Sequence, residues 1–268
     1  MDRNTPNLNK TLSIRISTNG FCFCSYTASQ PDSLQYYSYS VNNRITLAAN
    51  LDEALKECPF VNDEANMNVS IIVETDRFTT IPNEYDNKSE HAALFRTCFP
   101  QVAATDRIIA NRLPAQGVTL LFAIDEKLYD RLCSIGNATF YSPISILLGF
   151  LEKQSIGDSK YMLACCDCNS MLLLSMSEGR LQLANSFKSD DMHDHAFYLL
   201  SIWKEHKLQQ ESDTLYICGD KGVEDITPIL NMFIQNTKRI NPNELFRPNL
   251  LNRITKIPFD LQALLLCE

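Results

Sequence analysis

The chain has 268 residues, of which 45% are hydrophobic and 21% are charged, and its formal net charge is −8 at pH 7. These proportions are typical of a globular protein that is long enough to bury a core of its own. The negative charge argues against broad binding to nucleic acid or to an anionic membrane surface, because both are themselves negative. We therefore expect no nucleic-acid partner.

The sequence contains no stretch of the roughly 20 consecutive apolar residues that a membrane-spanning helix requires. Residues 1–10 are polar and lack the apolar core of a signal peptide. We therefore expect a soluble, cytoplasmic protein with no direct membrane insertion. Several cysteines lie among apolar residues, where a free thiol behaves as a small hydrophobe, and we expect them to be reduced and buried. These are Cys22, Cys24, Cys133, Cys218 and Cys267.

The first unit that the sequence predicts is three strands, a helix and a fourth strand. The first two strands flank Asn19-Gly20, and Asn-Gly between two β-type runs is the strongest short-range signal of a hairpin. The helix has apolar residues at helical spacing and ends before Pro59. In chain order, these elements are residues 12–17, 21–24, 34–41, 47–58 and 68–73.

The middle of the chain predicts a hairpin, a helix, a short strand and a second helix. Asp125 is a typical N-cap for the first of these helices. Pro143 is typical of the first turn of the second helix, because its missing N–H has no partner there in any case. In chain order, these elements are residues 108–113, 118–124, 126–135, 138–141 and 143–153.

The order of the first unit returns in the second half of the chain. Asn19-Gly20 corresponds to Asn169-Ser170, an offset of 150 residues (169 − 19), and Leu34-Gln35 corresponds to Leu181-Gln182, an offset of 147 (181 − 34). The repeated elements are residues 161–166, 171–176, 181–187, 192–207 and 214–218. The sequence therefore predicts an internal duplication.

We predict that residues 156–159 separate the two copies. The N-terminal lobe is then residues 1–157, with an inserted α/β subdomain at about 100–142, and the C-terminal lobe is residues 158–268. The last apolar run, residues 258–267, either packs back as a final helix or forms a docking surface for a partner.

A doubled unit of this order resembles the superfamily of actin and the sugar kinases, whose two lobes clamp a nucleotide. The middle of the chain resembles the pilus-assembly, type II secretion and division proteins of that superfamily. The whole chain is similar to an uncharacterised Bacteroidetes family with an actin-like ATPase fold. The resemblance implies an α/β protein with a duplicated RNase H-like (actin-like ATPase) fold, in which each lobe has a mixed β-sheet flanked by helices.

In active members of the superfamily, each hairpin carries Asp, one other residue and then Gly, facing the phosphates. The resemblance places Arg15 at the first Asp position, Ser17 at the first Gly position and Asn19 in the turn that follows. Arg15 either meets a phosphate directly or is a solvent-side residue of an alternating strand. It cannot coordinate magnesium.

The second hairpin departs from the signature as well. An ungapped alignment puts Cys165 at the Asp position and Asp167 at the Gly position, and a shift of two residues makes Asp167 the acid and Asn169 the equivalent of glycine. Asp167 is then either a retained cation-site acid or an ordinary turn residue.

The resemblance also implies an adenosine-side loop at Gly219, Asp220, Lys221 and Gly222, between a strand and a helix from about Glu224. Backbone amides at this helix N-terminus would face the cleft. A plain strand-to-helix turn is the alternative interpretation.

Cys165, Cys166 and Cys168, together with His193 and His195, are the candidate ligands for a zinc ion. Zinc needs four ligands that converge in a tetrahedron. On a strand, Cys166 and Cys168 share a face from which Cys165 points away, and on a helix the two histidines lie roughly 200° apart. We expect no metal site, and among ten cysteines and four histidines the sequence singles out no nucleophilic pair.

Glycine is scarce, with eight in 268 residues, about 3% against the roughly 7% that is usual. A protein that holds a triphosphate with several loops should be rich in glycine. We therefore expect a non-catalytic cytoplasmic scaffold that binds a protein partner of unknown identity and needs no cofactor. The alternatives are a divergent ATPase or small-molecule kinase, with ATP and magnesium at Asp167 and either Asp220 or Lys221, and a nucleotide-binding switch without hydrolysis.

Overall fold

A computed structural model describes residues 10–27, 30–61, 67–155, 160–167, 170–189, 191–219, 222–241 and 257–267. The strands of the first half are β1 (Lys10–Ile16), β2 (Gly20–Thr27), β3 (Gln30–Ser40), β4 (Asn68–Val73), β5 (Phe78–Pro82), β6 (Arg107–Leu113), β7 (Val118–Ile124) and β8 (Asn137–Tyr141). Those of the second half are β9 (Lys160–Asp167), β10 (Ser170–Ser177), β11 (Arg180–Lys188), β12 (Thr214–Gly219) and β13 (Thr237–Arg239). The α-helices are α1 (Leu47–Glu57), α2 (His91–Cys98), α3 (Glu126–Cys133), α4 (Pro143–Lys153), α5 (Met192–Glu205), α6 (Gly222–Leu230) and α7 (Phe259–Cys267), and Asn83–Tyr85 forms a short 3₁₀ helix.

The strands form two five-stranded mixed sheets and one three-stranded sheet. The order is β3-β2-β1-β4-β8 in the first sheet, β11-β10-β9-β12-β13 in the second and β5-β7-β6 in the third. In both large sheets a hairpin of antiparallel strands is followed by a parallel strand, β4 beside β1 and β12 beside β9. The predicted duplication of strand-strand-strand-helix-strand units and the predicted fold class are confirmed. We call the first sheet with its helices the first lobe and the second sheet with its helices the second lobe.

The two faces of the first sheet have different partners. Ile14 and Phe23 are register neighbours on one face, where the Phe23 ring packs against Tyr37 with 6.1 Å between centroids. Helix α1 covers this outer face, and Tyr37 reaches across to donate to Glu57. Because side chains alternate along a strand, Arg15 lies on the opposite face, which looks toward the second lobe.

Helices α4 and α7 pack against each other between the two lobes. The Phe150 and Phe259 rings meet edge to face at 5.7 Å, and the largest cluster of buried apolar residues runs from the first sheet through these helices to Leu163 and Leu174. A second apolar cluster lies on the other face of the second sheet, under α5 and α6. The C-terminal segment therefore packs back as a helix, one of its two predicted roles.

The three-stranded sheet differs from the predicted bounds of the insert, about 100–142. It begins with β5, which pairs with β7, and it ends with β7, whereas β8 pairs with β4 in the first sheet. Its strands thus run from Phe78 to Ile124. Strand β5 and helix α2 were missed because both are short, and β5 is defined by its pairing with a distant strand, Phe78 with Phe122, 44 residues later (122 − 78). The division at residue 157 lies outside the described residues and stays a prediction.

In the described residues, the nine cysteines are free thiols. Burial was wrongly expected for Cys133, which is exposed, because it is the last residue of α3 and Leu128 and Leu132 form the buried face of that helix. No helix in the described part of the chain is long and apolar enough to cross a membrane.

Candidate functional site

Arg15 lies at the centre of an ion cluster between the lobes, and only 8% of its own surface is exposed. Its Nε donates to both carboxylate oxygens of Asp260, at 2.9 and 2.8 Å. Its Nη2 lies 3.1 Å from Glu74 Oε2 and 3.5 Å from Asp167 Oδ2. We call these four residues the Arg15 cluster. The interpretation of Arg15 as a solvent-side residue is wrong, and its contact with phosphate stays a prediction.

The three carboxylates of the Arg15 cluster come from three parts of the fold. Glu74 directly follows β4 in the first lobe, Asp167 ends β9 in the second lobe, and Asp260 is in the first turn of α7. The backbone N–H of Leu261 donates to Asp260 Oδ1 at 2.7 Å, so Asp260 has a second hydrogen bond in its buried position. Two predicted site residues, Arg15 and Asp167, are thereby brought together across the cleft.

One positive and three negative charges lie within this cluster, and they shift the pKa values of Arg15 and Glu74. Burial alone lowers the pKa of Arg15, but the attraction of the three carboxylates outweighs it, so the net shift is upward. Burial raises the pKa of Glu74, and repulsion from the other two carboxylates adds to the effect, although Arg15 opposes it. The guanidinium is therefore the charge that holds the carboxylates together.

In the first hairpin, backbone amides are hydrogen-bonded by a side chain of the same turn. Ser17 Oγ accepts from the backbone N–H of Asn19 at 3.3 Å and of Gly20 at 3.1 Å, and it donates to Gly20 O at 3.1 Å. A Cβ at position 20 would lie 2.3 Å from the carbonyl oxygen of Tyr39, so the approach of β3 requires glycine there. The amides of Asn19 and Gly20 are therefore hydrogen-bonded within the turn rather than free to face a phosphate.

The second hairpin contributes Asp167 to the cleft, with 42% of its side chain exposed. Cys165 lies on the same face of β9 and pairs in register with Cys218 of β12. Burial raises the pKa of Cys218 well above its ordinary value, and the adjacent Cys165 thiol adds to the shift. The Cys218 thiol is therefore held neutral, which makes it a poor nucleophile. Asn169 lies outside the described residues.

The packing of strand β12 against β9 requires glycine at position 219. Its φ is +114°, and a Cβ there would lie 1.9 Å from the carbonyl oxygen of Cys166, so β12 approaches β9 too closely for any side chain. Gly222 is the first residue of α6. Asp220 and Lys221 lie outside the described residues, and the adenosine-side role of this loop stays a prediction.

The cleft between the lobes has a narrow interior and a wider mouth. The interior has a volume of about 60 Å³, and Arg15, Gly219 and Asp260 are on its wall. The mouth has a volume of about 610 Å³, and Ser17, Asn19 and Asp167 are on its wall. Small-molecule sites usually have about 300–1,000 Å³. The interior is too small for a nucleoside, whereas the mouth has room for a small molecule.

No group of three or more His, Cys, Asp and Glu side chains is placed to hold a metal ion in the described part of the chain. Cys168 lies outside it. The two histidines considered for zinc differ in their surroundings, since His195 is fully buried and His193 is exposed and bonded to Asp191.

Glu74 and Asp260 were missed as members of the site. A signal for Asp260 was present in the sequence, because it is a lone acid in the apolar run of residues 258–267, and a buried carboxylate needs a charged partner. Arg15 is likewise the one charged residue of its strand between Lys10 and Gly20. Nothing in the sequence pairs them, since 245 residues separate them.

No curated protein matches the chain. The family described as "Protein of unknown function (DUF3822)" matches residues 3–237. A protein from Bacteroides thetaiotaomicron VPI-5482, described as having an actin-like ATPase fold and unknown function, is 30% identical, with a TM-score of 0.78 and all of both chains covered.

Two further solved structures are similar in fold. A chain of the PilM–PilN type IV pilus biogenesis complex has a TM-score of 0.60 at 11% identity, with 98% of this chain and 100% of that chain covered. The cytoplasmic domain of EpsL, an inner membrane component of the type II secretion system of Vibrio cholerae, has a TM-score of 0.42 at 10% identity, with coverages of 78% and 81%. The predicted similarity to an uncharacterised Bacteroides protein is confirmed: the chain belongs to the DUF3822 family and has the actin-like ATPase fold.

Proposed function

We propose that this protein is a non-catalytic cytoplasmic scaffold that binds another protein, and that the Arg15 cluster has replaced the nucleotide site of its fold. The observation that carries the proposal is the position of Arg15. It lies at the hairpin position where active relatives have an acid, and its positive charge is neutralised by carboxylates of the same chain. A guanidinium has no lone pair with which to coordinate magnesium.

The two hairpins and the cleft support the loss of nucleotide binding. The backbone N–H groups of Asn19 and Gly20 donate to Ser17 Oγ. The glycines at positions 20 and 219 are explained by close contacts between strands. The negative charges of the Arg15 cluster outnumber its positive charge, and this surplus opposes the entry of a triphosphate. The cleft interior of about 60 Å³ leaves no room for a nucleoside.

The protein-binding part of the proposal rests on analogy of fold. A chain with the same fold belongs to the PilM–PilN complex, in which two proteins associate. Fold alone does not determine function. The similarity therefore does not identify the partner of this chain.

The test is thermal unfolding of the purified protein with Mg·ATP or Mg·ADP, together with a phosphate-release assay. A ligand at 100 times its Kd stabilises a protein by about 2.7 kcal/mol, which shifts the melting temperature by several degrees. We expect no shift and no phosphate. A shift with phosphate release overturns the proposal, and a shift without phosphate release indicates a nucleotide-binding switch.

A divergent ATP-binding protein is the second candidate, and the cleft mouth favours it. This cavity of about 610 Å³ has the size of a small-molecule site, and Asp167 on its wall is partly exposed. If the protein is an enzyme of this kind, Asp167→Asn should abolish phosphate release. The melting temperature of the variant without ligand should stay within a few degrees of the wild type.

A further inference from the structure

We infer that the Arg15 cluster and helix α7 form a built-in lock, which holds the two lobes in one closed orientation without any bound ligand. This goes beyond the proposed function, because it assigns a conformational role to the C-terminal helix and to Glu74. It also stands independently, because a lock is compatible with a small molecule in the cleft mouth.

The first step is that one guanidinium touches both lobes. Arg15 belongs to the first lobe, and its Nη2 lies 3.5 Å from Asp167 of the second lobe, 152 residues away. Glu74 of the first lobe is bound by the same Nη2 at 3.1 Å. Separation of the lobes must therefore break the ion pair between Arg15, which is buried, and Asp167, whose side chain is partly exposed.

The second step is that α7 is packed between the lobes. Seven of its residues are buried, from Phe259 to Leu265, and they include the polar side chains of Asp260 and Gln262. Gln262 Nε2 donates to Ile257 O at 2.5 Å, and Lys153 at the end of α4 donates to Cys267 O. The bond to Ile257 is internal to the C-terminal segment, and the bond from Lys153 joins the end of the helix to α4. From this packed position the helix presents Asp260 to Arg15.

The third step is the charge balance of the cluster. Arg15 is the one cation among Glu74, Asp167 and Asp260 in this cluster, and breaking one partner of a buried ion pair leaves an uncompensated buried charge. Without Arg15, the three carboxylates repel one another across the cleft. Removal of the guanidinium should therefore replace the attraction between Arg15 and Asp167 by a repulsion between Asp167 and the other two carboxylates.

The structure offers a matched control in a second ion pair between the lobes. Lys188 Nζ at the end of β11 lies 2.7 Å from Asp76 Oδ2, three residues after β4, and both side chains are exposed. Exposed pairs contribute little, because water and salt screen them. Lys188→Ala thus removes a bridge between the same lobes outside the four residues of the Arg15 cluster, although the charge of Lys188 also attracts Glu74 through space.

The test is hydrogen–deuterium exchange of the full chain without ligand, read at the amides that line the cleft. These are the first hairpin, residues 16–22, and the inner strands of the second sheet, residues 161–167 and 170–177. We compare the wild type with Arg15→Met, Asp260→Asn and Lys188→Ala. Asp260→Asn retains the shape of the side chain and removes its charge. If Arg15→Met does not fold, the exchange of Asp260→Asn tests the lock instead.

The lock predicts exchange at least about tenfold faster at the cleft amides in Arg15→Met and Asp260→Asn, which corresponds to 1.4 kcal/mol in the opening equilibrium. In Lys188→Ala the change should be less than about twofold. Amides of α5, which covers the other face of the second sheet, away from the cleft, should exchange as in the wild type. The inference is overturned if the folded Arg15 and Asp260 variants keep wild-type exchange at the cleft, or if the acceleration spreads equally to α5.

Discussion

Nε of Arg15 donates to both carboxylate oxygens of Asp260, and 245 residues separate the two along the chain. Asp260 is 4% exposed and Arg15 is 8% exposed, so water cannot replace the contact. The pair joins the first strand of the chain to its last described helix. In an actin-like ATPase fold this is the region between the lobes, and here it is filled by side chains of the protein itself.

Arg15→Ala should lower the free energy of unfolding by about 3–5 kcal/mol, because it leaves three carboxylates near one another without their cation. Urea unfolding followed by circular dichroism measures this change. Arg239→Ala is the control, because its pair with Glu224 is exposed, and it should cost less than about 1 kcal/mol. Equal effects of the two changes would show that the cluster contributes no special stability.

Acidification should destabilise the protein through His195. Its two ring nitrogens are buried without a hydrogen-bond partner in the described structure, and burial lowers its pKa, although Asp194 and Asp191 partly oppose this. Since the folded pKa lies below the unfolded value of about 6.5, the unfolded state takes up the proton first. The stability is therefore full above pH 6.5 and is lost as the pH falls through that value toward the folded pKa.

The measurement for His195 is the free energy of unfolding between about pH 7.5 and 5.5, in the range where an ordinary histidine titrates. His195→Gln should reduce the slope with pH. His193→Gln, on the same helix but exposed, is the control and should change the slope less than His195→Gln does. A wild-type slope in His195→Gln contradicts the prediction.

Gly219→Ala should be much more disruptive than Gly179→Ala. Both glycines have a positive φ, +114° and +74°, but a Cβ at 219 meets Cys166 O at 1.9 Å whereas a Cβ at 179 has nothing within 4 Å. Conformational strain alone costs about 1–2 kcal/mol, which is the effect expected for Gly179→Ala. Gly219→Ala should exceed this clearly in thermal unfolding, and similar melting temperatures for the two variants would refute a packing role for Gly219.

Ser17→Ala should destabilise the first hairpin by about 1 kcal/mol, because the amides of Asn19 and Gly20 lose their acceptor. Thr18→Ala, at the exposed next position, is the control and should change the stability by less than about 0.5 kcal/mol. Thermal unfolding distinguishes them. If Ser17→Ala has the same melting temperature as the wild type, the hydrogen bonds to the Ser17 hydroxyl do not stabilise the turn.

Local signals in the sequence were sufficient for most of the fold. Asn19-Gly20 predicted the first hairpin, Asp125 and Pro143 predicted helix starts, and the structure shows the side-chain cap of Asp125 on Leu128 N. These features depend on neighbours within a few residues. The duplication followed because the same local pattern occurs twice.

The site was less predictable, because its chemistry depends on contacts that are distant along the chain. Arg15 and Asp167 were singled out as candidates, but Glu74 and Asp260 were not, and these two determine what Arg15 does. Strand β5 was missed for the same reason, since its pairing with β7 is a tertiary contact. A lone charge in an apolar segment is the signal that such partners leave in a sequence.

Isothermal titration of Mg·ATP into the wild-type protein tests most directly whether the Arg15 cluster has replaced the nucleotide. We predict no heat beyond dilution up to about 1 mM nucleotide, the upper end of the usual range of Michaelis constants. A saturable heat with one nucleotide per chain and a Kd in the micromolar range would contradict the account, because it would require the phosphates to bind next to the surplus negative charge of the Arg15 cluster.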